Sequence, residues 1–200
     1  VLGVFLRSPA AHAFPEDLCR FRPVEELEGE KFVFHKKPRD LRRFDHISIV
    51  RTNGPGEGGH PGYEECVGQV VTVTDIKKDD TGGYVISFSS DEGHSYRVFA
   101  RTGSIEGLAS LRDVEKAREA LAGKTFRYLK KNILRYHEDT GEYEAVYAPR
   151  YSLVEVAGVE PGWSDKTPVR LVLTNEYGQT GYVEVNISGT NVPESVRHRD

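Results

Sequence analysis

The sequence predicts a mainly β chain built from two small barrels in tandem, each preceded by a short helix. Two observations support this fold class: short alternating apolar segments separated by Gly and Pro, and an internal repeat of those segments. The 200 residues suffice for two small domains, and 10 Tyr and 9 Phe against 1 Trp favour strands. With 38% hydrophobic and 29% charged residues, the composition is that of a globular chain and excludes wholesale disorder.

The repeat becomes visible when the chain is aligned with itself. Segment 27–37 matches 121–131, sharing a Leu, a Gly, a Phe and a Lys-Lys pair. Later segments match at a shorter spacing, because the first copy carries the Gly- and Pro-rich segment 52–62 and the second has no counterpart. So many glycines make a regular element too costly in entropy, so this insertion is predicted to be a surface loop. The later matches are 71–76 with 154–159 and 84–88 with 169–173.

Each copy opens with a helix, then a glycine, then a strand. In the first copy Pro23 suits the first position of a short helical turn that Gly29 ends. In the second copy Ser110 is the predicted N-cap of a longer helix that ends at Gly123. The strands that follow alternate apolar and polar residues, and Asp-Thr-Gly-Glu at 139–142 predicts a hairpin. About five short strands per copy predict a small barrel that hides its edges.

This plan resembles the SH3-like barrels that occur in tandem in exported bacterial proteins. The residues that carry the resemblance are Gly-Lys-Thr-Phe at 123–126, Asn-Glu-Tyr-Gly at 175–178, and their partners in the first copy. The resemblance implies a binding or scaffolding role and gives no catalytic residues to carry over. It divides the chain into an N-terminal segment 1–24, a first SH3-like repeat 25–110, a second SH3-like repeat 111–192 and a polar tail 193–200.

The N-terminal segment predicts export. An apolar run at 1–6 precedes Ala11-His12-Ala13, which fits the small-x-small pattern of a signal-peptidase site. An ordinary N-terminal strand is the alternative. Cys19 and Cys66 are the only cysteines; they can form a disulfide in an exported protein or remain buried thiols in a reducing compartment. No apolar segment of the sequence reaches the length of about 20 residues that a membrane helix needs.

The charge pattern argues against a nucleic-acid partner. The net charge of −4 arises from 27 basic and 31 acidic residues, which are mixed along the chain. Nucleic-acid binding needs a basic face that displaces counterions from phosphates, and the sequence has no basic run of that kind.

The sequence contains no pattern typical of a catalytic, cofactor or metal site. No two of the 7 His have the spacing of a helical metal pair, and there is no CxxC motif. The insertion brings His60 close to Cys66 in sequence, which is the basis for one alternative, a Cys-His hydrolase. Because Glu64 and Glu65 next to Cys66 disfavour a thiolate, a bridged or buried cysteine is the favoured interpretation.

Aromatic residues are the predicted ligand-binding residues. SH3-type domains bind extended peptides across rows of aromatic side chains. Trp163 is predicted to lie in a turn with an exposed ring. Ordinary packing of alternating tyrosines is the alternative. The candidates are Tyr84, Tyr96, Tyr143, Tyr147, Tyr151 and Trp163.

The leading hypothesis is therefore a non-catalytic binding or scaffolding protein of the bacterial envelope, located in the periplasm or at the cell surface. Its ligand would be a peptide, a cell-wall fragment or another protein. Two alternatives stay open: an envelope hydrolase that uses His60 and Cys66, and a cytoplasmic regulatory module of the KOW or Tudor type.

Overall fold

The computed structural model describes residues 22–42, 44–100, 105–128, 133–137, 140, 142–149 and 152–185. Strands account for 48% of it and helices are few, so the prediction of a mainly β chain is confirmed. Its β structure includes a sheet curled into a half-barrel. The predicted export signal and the polar tail 193–200 lie outside the described residues.

The first half of the chain folds into a six-stranded antiparallel sheet with the strand order β2-β5-β4-β3-β1-β6. Single-turn elements at Val24–Glu26, Arg39–Leu41 and α1 (Tyr63–Cys66) connect or flank its strands. The first of these follows Pro23, where the sequence predicts a short helical turn. The strands are β1 (Lys31–Phe34), β2 (Val50–Arg51), β3 (Val70–Lys78), β4 (Tyr84–Ser90), β5 (Ser95–Ala100) and β6 (Leu108–Ser110).

The second half forms a separate six-stranded antiparallel sheet, preceded by helix α2 (Leu111–Leu121). The helix begins at its predicted N-cap, where Ser110 Oγ accepts a hydrogen bond from the backbone N–H of Asp113 at 3.3 Å. The sheet order is β7-β10-β11-β12-β8-β9. Its strands are β7 (Thr125–Arg127), β8 (Ile133–His137), β9 (Glu142–Val146), β10 (Leu153–Ser164), β11 (Thr167–Thr174) and β12 (Thr180–Val185).

The two sheets share one arrangement of strands. The order β1-β3-β4-β5-β2 of the first sheet recurs as β7-β10-β11-β12-β8 in the second. Each sheet adds one outer strand, β6 beside β1 and β9 beside β8. The buried rings of Phe32 and Phe126 also take the same register, since Phe32 lies opposite Val71 and Phe126 opposite Val154.

The glycine that opens each copy makes the same backbone contacts in both halves. Gly29 N–H donates to the carbonyl of Val73 at 3.0 Å, and Gly123 N–H donates to the carbonyl of Val156 at 2.8 Å. The two glycines have φ of 78° and 71°, a left-handed conformation that side chains other than glycine rarely adopt. A register shift follows directly after Val73 in β3 and after Val156 in β10.

The Gly-rich segment 52–62 is exposed but is tied to the first sheet. The buried Arg51 donates from Nη1 to the carbonyl of Pro55 at 2.8 Å and forms an ion pair with Glu65 on α1. The backbone of the loop also folds back on Arg51, whose carbonyl accepts from Gly58 N–H at 2.8 Å. The Arg51 side chain therefore ties the predicted surface loop to the first sheet, alongside hydrogen bonds of the loop itself, such as those of Asn53 with Gly93 and Ser95.

Candidate functional site

A row of aromatic side chains crosses the second sheet on the face opposite its core. We call Trp163, Tyr182, Tyr136 and Tyr143 the aromatic row. The ring of Trp163 lies 5.7 Å from that of Tyr136, 5.9 Å from Tyr182 and 6.3 Å from Tyr143. The Tyr136 and Tyr143 rings are 5.0 Å apart. Strands β10, β12, β8 and β9 each contribute one ring, and the Trp163 ring contacts the other three.

Arg170 holds one end of the aromatic row in place. Its neighbours Val169 and Leu171 are buried in the core, so alternation along β11 turns Arg170 to the opposite face. The guanidinium carbon lies 4.4 Å from the centre of the Trp163 ring and 4.3 Å from that of Tyr182. An ion pair with Glu160 compensates its charge. Stacking of this kind stabilises a planar cation against an aromatic face and fixes both rings.

A cleft of about 110 Å³ lies between the two sheets and meets the aromatic row at Trp163. The first half of the chain contributes His35, Phe44, His46 and Tyr63 to its walls. The second half contributes Trp163 and the two residues that follow it. Aromatic rings with a few polar groups among them are the usual composition of a ligand pocket.

His35 is the buried polar group in this cleft. Its Nδ1 donates to the carbonyl of Gly162 at 2.7 Å, which fixes the neutral tautomer with a bare lone pair on Nε2. That Nε2 is buried and has no hydrogen-bond partner among the described residues. Burial lowers the pKa of His35 to about 4, so the ring is neutral at pH 7. The neutral ring therefore joins the first half of the chain to β10 through one buried hydrogen bond.

The carbonyl that accepts the hydrogen bond of His35 belongs to Gly162, and this position must be a glycine. A Cβ at position 162 would lie 1.6 Å from the carbonyl oxygen of Thr167, which no side chain could accommodate without moving the backbone. Close approach of β10 and β11 at Gly162 thus places the carbonyl that orients His35.

Tyr63 and Arg42 line the cleft next to His35. The Tyr63 hydroxyl donates to the carbonyl of His35 at 2.6 Å and accepts from the backbone N–H of Lys37. Burial raises the pKa of Tyr63 to about 12, so the hydroxyl stays a donor. The Arg42 guanidinium lies 3.8 Å above the Tyr63 ring and pairs with Glu64. This wall is built from groups that already have partners.

Charged residues of both signs line the cleft. Lys37 contributes an ammonium, and Glu106 and Asp165 contribute carboxylates. Asp165 and Lys37 act on the pKa of His35 in opposite directions, Asp165 raising it and Lys37 lowering it. The cleft therefore offers both donors and acceptors, together with aromatic rings.

The structure brings two of the six sequence-predicted ligand residues into one cluster, Tyr143 and Trp163. The prediction that Trp163 lies in a turn with an exposed ring is wrong, because β10 continues to Ser164 and the ring is only 9% exposed. Tyr147 packs against Tyr177 at 6.4 Å, away from the row. Tyr151 lies outside the described residues.

The two candidates in the first half have other roles. Tyr96 is buried in the first core, where its ring packs edge-on against Phe34 at 5.5 Å, so it has no face left for a ligand. Tyr84 is half-buried, and its hydroxyl donates to the carboxylate of Glu25. No aromatic row equivalent to that of the second sheet forms from these two residues.

His60 and Cys66 do not form a nucleophilic pair. Cys66 is a free, fully buried thiol, and burial raises its pKa. The His60 ring stacks on His46 at 5.1 Å, and its Nδ1 bonds to the carbonyl of Ile49. A thiol of this kind is protonated and shielded, which disfavours attack on a substrate. The other half of the proposed disulfide, Cys19, lies outside the described residues.

Sequence reasoning missed His35, Arg170, Tyr136 and Tyr182. Alternation was the available signal for three of them: Arg170 lies between core positions of β11, and Tyr136 and Tyr182 lie at outward positions of their strands. No local signal existed for His35, because its partner Gly162 is 127 residues away.

No protein-family model, curated protein or solved structure matches the chain. Within the part of the chain that the structure describes, no helix is long and apolar enough to cross a membrane. The same residues contain no group of three or more His, Cys, Asp or Glu side chains placed to hold a metal ion.

Proposed function

We propose that the protein is a non-catalytic binding module that holds an extended peptide along the aromatic row of its second sheet. Aromatic rings provide a large contact area at a small cost in side-chain entropy, and tyrosine hydroxyls add hydrogen bonds to a peptide backbone. Extended peptides that bind to aromatic-lined grooves use the same chemistry.

One observation carries this proposal: Trp163 belongs to both the aromatic row and the cleft. A ligand on the row therefore reaches a concave site at Trp163. Tyr143 is 41% exposed, whereas Trp163, whose ring contacts the other three rings of the row, is nearly buried. This contrast suits a peptide that contacts the exposed tyrosine and turns into the cleft beside Trp163.

The proposal includes two diverged SH3-like units, as the sequence resemblance implies. The shared strand order, the paired contacts of Gly29 and Gly123, and the shared register shift support it. In this proposal the second unit binds the ligand and the first supplies one wall of the cleft. We assign the protein to the bacterial envelope on the sequence alone, from Ala11-His12-Ala13.

The single tryptophan makes the site directly measurable, because emission from this chain's indole comes from Trp163 alone. We would screen a library of extended peptides, proline-rich sequences included, for a change in that emission. Binding of the best peptide is then measured for Tyr182→Ala and Tyr136→Ala. Loss of an aromatic contact at the centre of an interface costs more than about 1.4 kcal/mol, which is a tenfold rise in Kd.

Tyr177→Ala is the matched control, because Tyr177 is 63% exposed in the turn between β11 and β12 and lies outside the row. We expect its Kd to equal that of the wild type. The proposal fails if no peptide alters the emission, or if the row variants bind as tightly as the Tyr177 variant.

A further inference from the structure

We propose that the bound peptide is basic and that one stretch of it pairs with the outer edge of β9, where it extends the second sheet by one strand. This inference rests on the proposed function, because it states how the part of that peptide next to Tyr143 is held and which charge it carries.

Strand β9 offers an edge that no other strand among the described residues covers. It is the last strand in the order β7-β10-β11-β12-β8-β9, and β8 is the one described strand that pairs with it. The first four residues of β9 are exposed. An outer strand presents backbone N–H and C=O groups on its open side, and an extended peptide can bind by pairing with such groups.

The other outer strands of the two sheets are less suited to accept a peptide. In the first sheet, all three residues of β6 are buried, and β2 has only two residues. In the second sheet, β7 has three residues. Because β9 has five residues, it is the longest of these four strands and allows a peptide the largest number of backbone hydrogen bonds.

The two faces of β9 differ in chemistry, because successive side chains of a strand point to opposite faces. Tyr143 lies opposite Tyr136 and belongs to the aromatic row, and Ala145 shares its face. Glu142 and Glu144 point to the other face. A peptide strand along β9 therefore places every second side chain next to Tyr143 and Ala145, and the side chains between them next to the carboxylates.

The carboxylate face determines the charge of the peptide. Glu144 already contacts His137 at 3.1 Å and Arg135 at 3.5 Å. The exposed Glu142 forms no ion pair with any residue that the structure describes. Segment 138–144 contains four acidic residues and no basic one. Opposite charges on neighbouring strands stabilise a sheet, so the peptide that fits this face carries Lys or Arg there.

The partner that fits both faces is an extended segment of another protein in which basic residues alternate with apolar or aromatic ones. Its basic side chains lie next to Glu142, and the residues between them pack on Tyr143 and Ala145. Beyond β9 the segment turns across the aromatic row towards Trp163.

Two peptides of equal length test the charge: one alternates Lys with Val, and the other alternates Glu with Val. Emission from Trp163 measures binding, and hydrogen exchange measures the protection of the backbone amides of 142–146. We expect the Lys peptide to change the emission, to slow the exchange of these amides and to bind about tenfold more tightly than the Glu peptide. Equal binding of the two peptides overturns the proposal. Slow exchange of all these amides in the free protein would mean that the edge is already covered, which also overturns it.

Methylation of the peptide backbone tests whether the peptide binds as a strand. Alternate N–H groups of a strand face the same neighbour, so only one of the two alternating sets in the Lys peptide can donate to β9. We expect N-methyl groups on one set to abolish binding and N-methyl groups on the other set to leave the Kd unchanged. The same effect from both sets contradicts strand pairing.

Glu142→Lys reverses the charge at the edge without disturbing the core, because Glu142 is exposed. We expect this variant to bind the Lys peptide about tenfold more weakly than the wild type does, and the Glu peptide more tightly. Glu119→Lys is the matched control, since it makes the same change of charge at an exposed position of α2. Its Kd for either peptide should be that of the wild type. Equal Kd values for the two variants contradict the assignment.

The failure of this inference can be told apart from the failure of the proposed function. If library peptides change the emission of Trp163 but neither protect the amides of 142–146 nor prefer a positive charge, only the strand pairing along β9 is wrong. If no peptide changes the emission, the aromatic row does not bind peptides and both proposals fail.

Discussion

At the scale of single residues, the environment of His35 makes the stability of the protein depend on pH. It is 3% exposed, held by Gly162 and neutral. Burial without a partner for Nε2 lowers its pKa to about 4 and makes its protonation in the folded protein unfavourable.

This pKa predicts how the stability of the protein depends on pH. The unfolded chain protonates His35 below about pH 6.5, whereas the folded protein does so only below about pH 4. Between these values protonation favours the unfolded chain, so stability falls as the pH is lowered through this range. The total loss from this group is about 3 kcal/mol.

The variant His35→Asn tests this predicted dependence of stability on pH. Its amide can still donate to Gly162 but does not titrate. Urea unfolding at a series of pH values should show a flatter decline than the wild type between pH 6.5 and 4. His137→Asn, at a half-exposed surface histidine, should decline as the wild type does. Parallel curves for the wild type and the His35 variant would show that this residue does not control the acid response.

Roles that depend on residues close by in the sequence can be predicted, whereas roles that depend on contacts between distant segments cannot. Ser110 was recognised as a helix cap because its partner Asp113 is three positions away, a spacing that capping chemistry fixes. Pro161 and Gly162 predict a turn at Trp163, yet β10 continues to Ser164 and pairs with β11 on both sides of a register shift there. Tertiary pairing overrides local turn preference at that point.

At the scale of elements, Arg51 connects the Gly-rich loop to the first sheet. Its pairing with Glu65 lowers the pKa of that carboxyl, and its second contact holds Pro55. The glycines predict a surface loop, but they carry no signal that a buried guanidinium outside the segment contacts it.

Replacing this arginine should free the loop without unfolding the sheet. Arg51→Met keeps the apolar stem but removes both tethers. We expect backbone amides of 52–62 to exchange faster with solvent, and the free energy of unfolding to fall by about 1–2 kcal/mol. Hydrogen exchange with mass spectrometry measures the exchange rates of the loop amides, and urea unfolding measures the free energy of unfolding.

Arg97→Met is the control, since Arg97 is an exposed arginine on the neighbouring β5. In the Arg97 variant, the backbone amides of 52–62 should exchange with solvent at the wild-type rate. If the loop amides of the Arg51 variant are equally protected, the glycine-rich segment is held by its own backbone contacts.

At the scale of the whole molecule, α2 joins the two halves. Ser110 ends β6 of the first sheet and caps the helix, whose buried face packs into the second core. Arg112 of α2 also donates to Glu30 at 3.0 Å, beside the start of β1. The helix is thus part of both units, although the two hydrophobic cores are separate.

A cavity at the end of this helix should destabilise both sheets. Leu121 is fully buried, and Leu121→Ala is expected to cost about 2–5 kcal/mol. Because α2 contacts β1 and β6 as well as β10, we expect amides of both sheets to lose protection in hydrogen-exchange measurements. Glu119→Ala, on the exposed side of α2, is the control. If only amides of the second sheet lose protection against exchange, the two halves unfold independently.

The mainly β architecture followed from the sequence because alternation is a property of neighbouring residues. Phe32 and Phe126 marked equivalent strands, and the structure gives them equivalent registers. The cleft could not be predicted in this way, since it depends on how a β10 carbonyl of the second half meets a histidine of the first.

The outer strand β9 has a consequence for the behaviour of the protein at high concentration. It ends the second sheet, and all its residues but the last are exposed. A second molecule that aligned its own β9 there would bring the exposed Glu142 carboxylates of both copies together, whereas Glu144 is paired with Arg135 and His137. Carboxylate repulsion therefore opposes edge-to-edge self-association at neutral pH, and acid would remove that protection against aggregation.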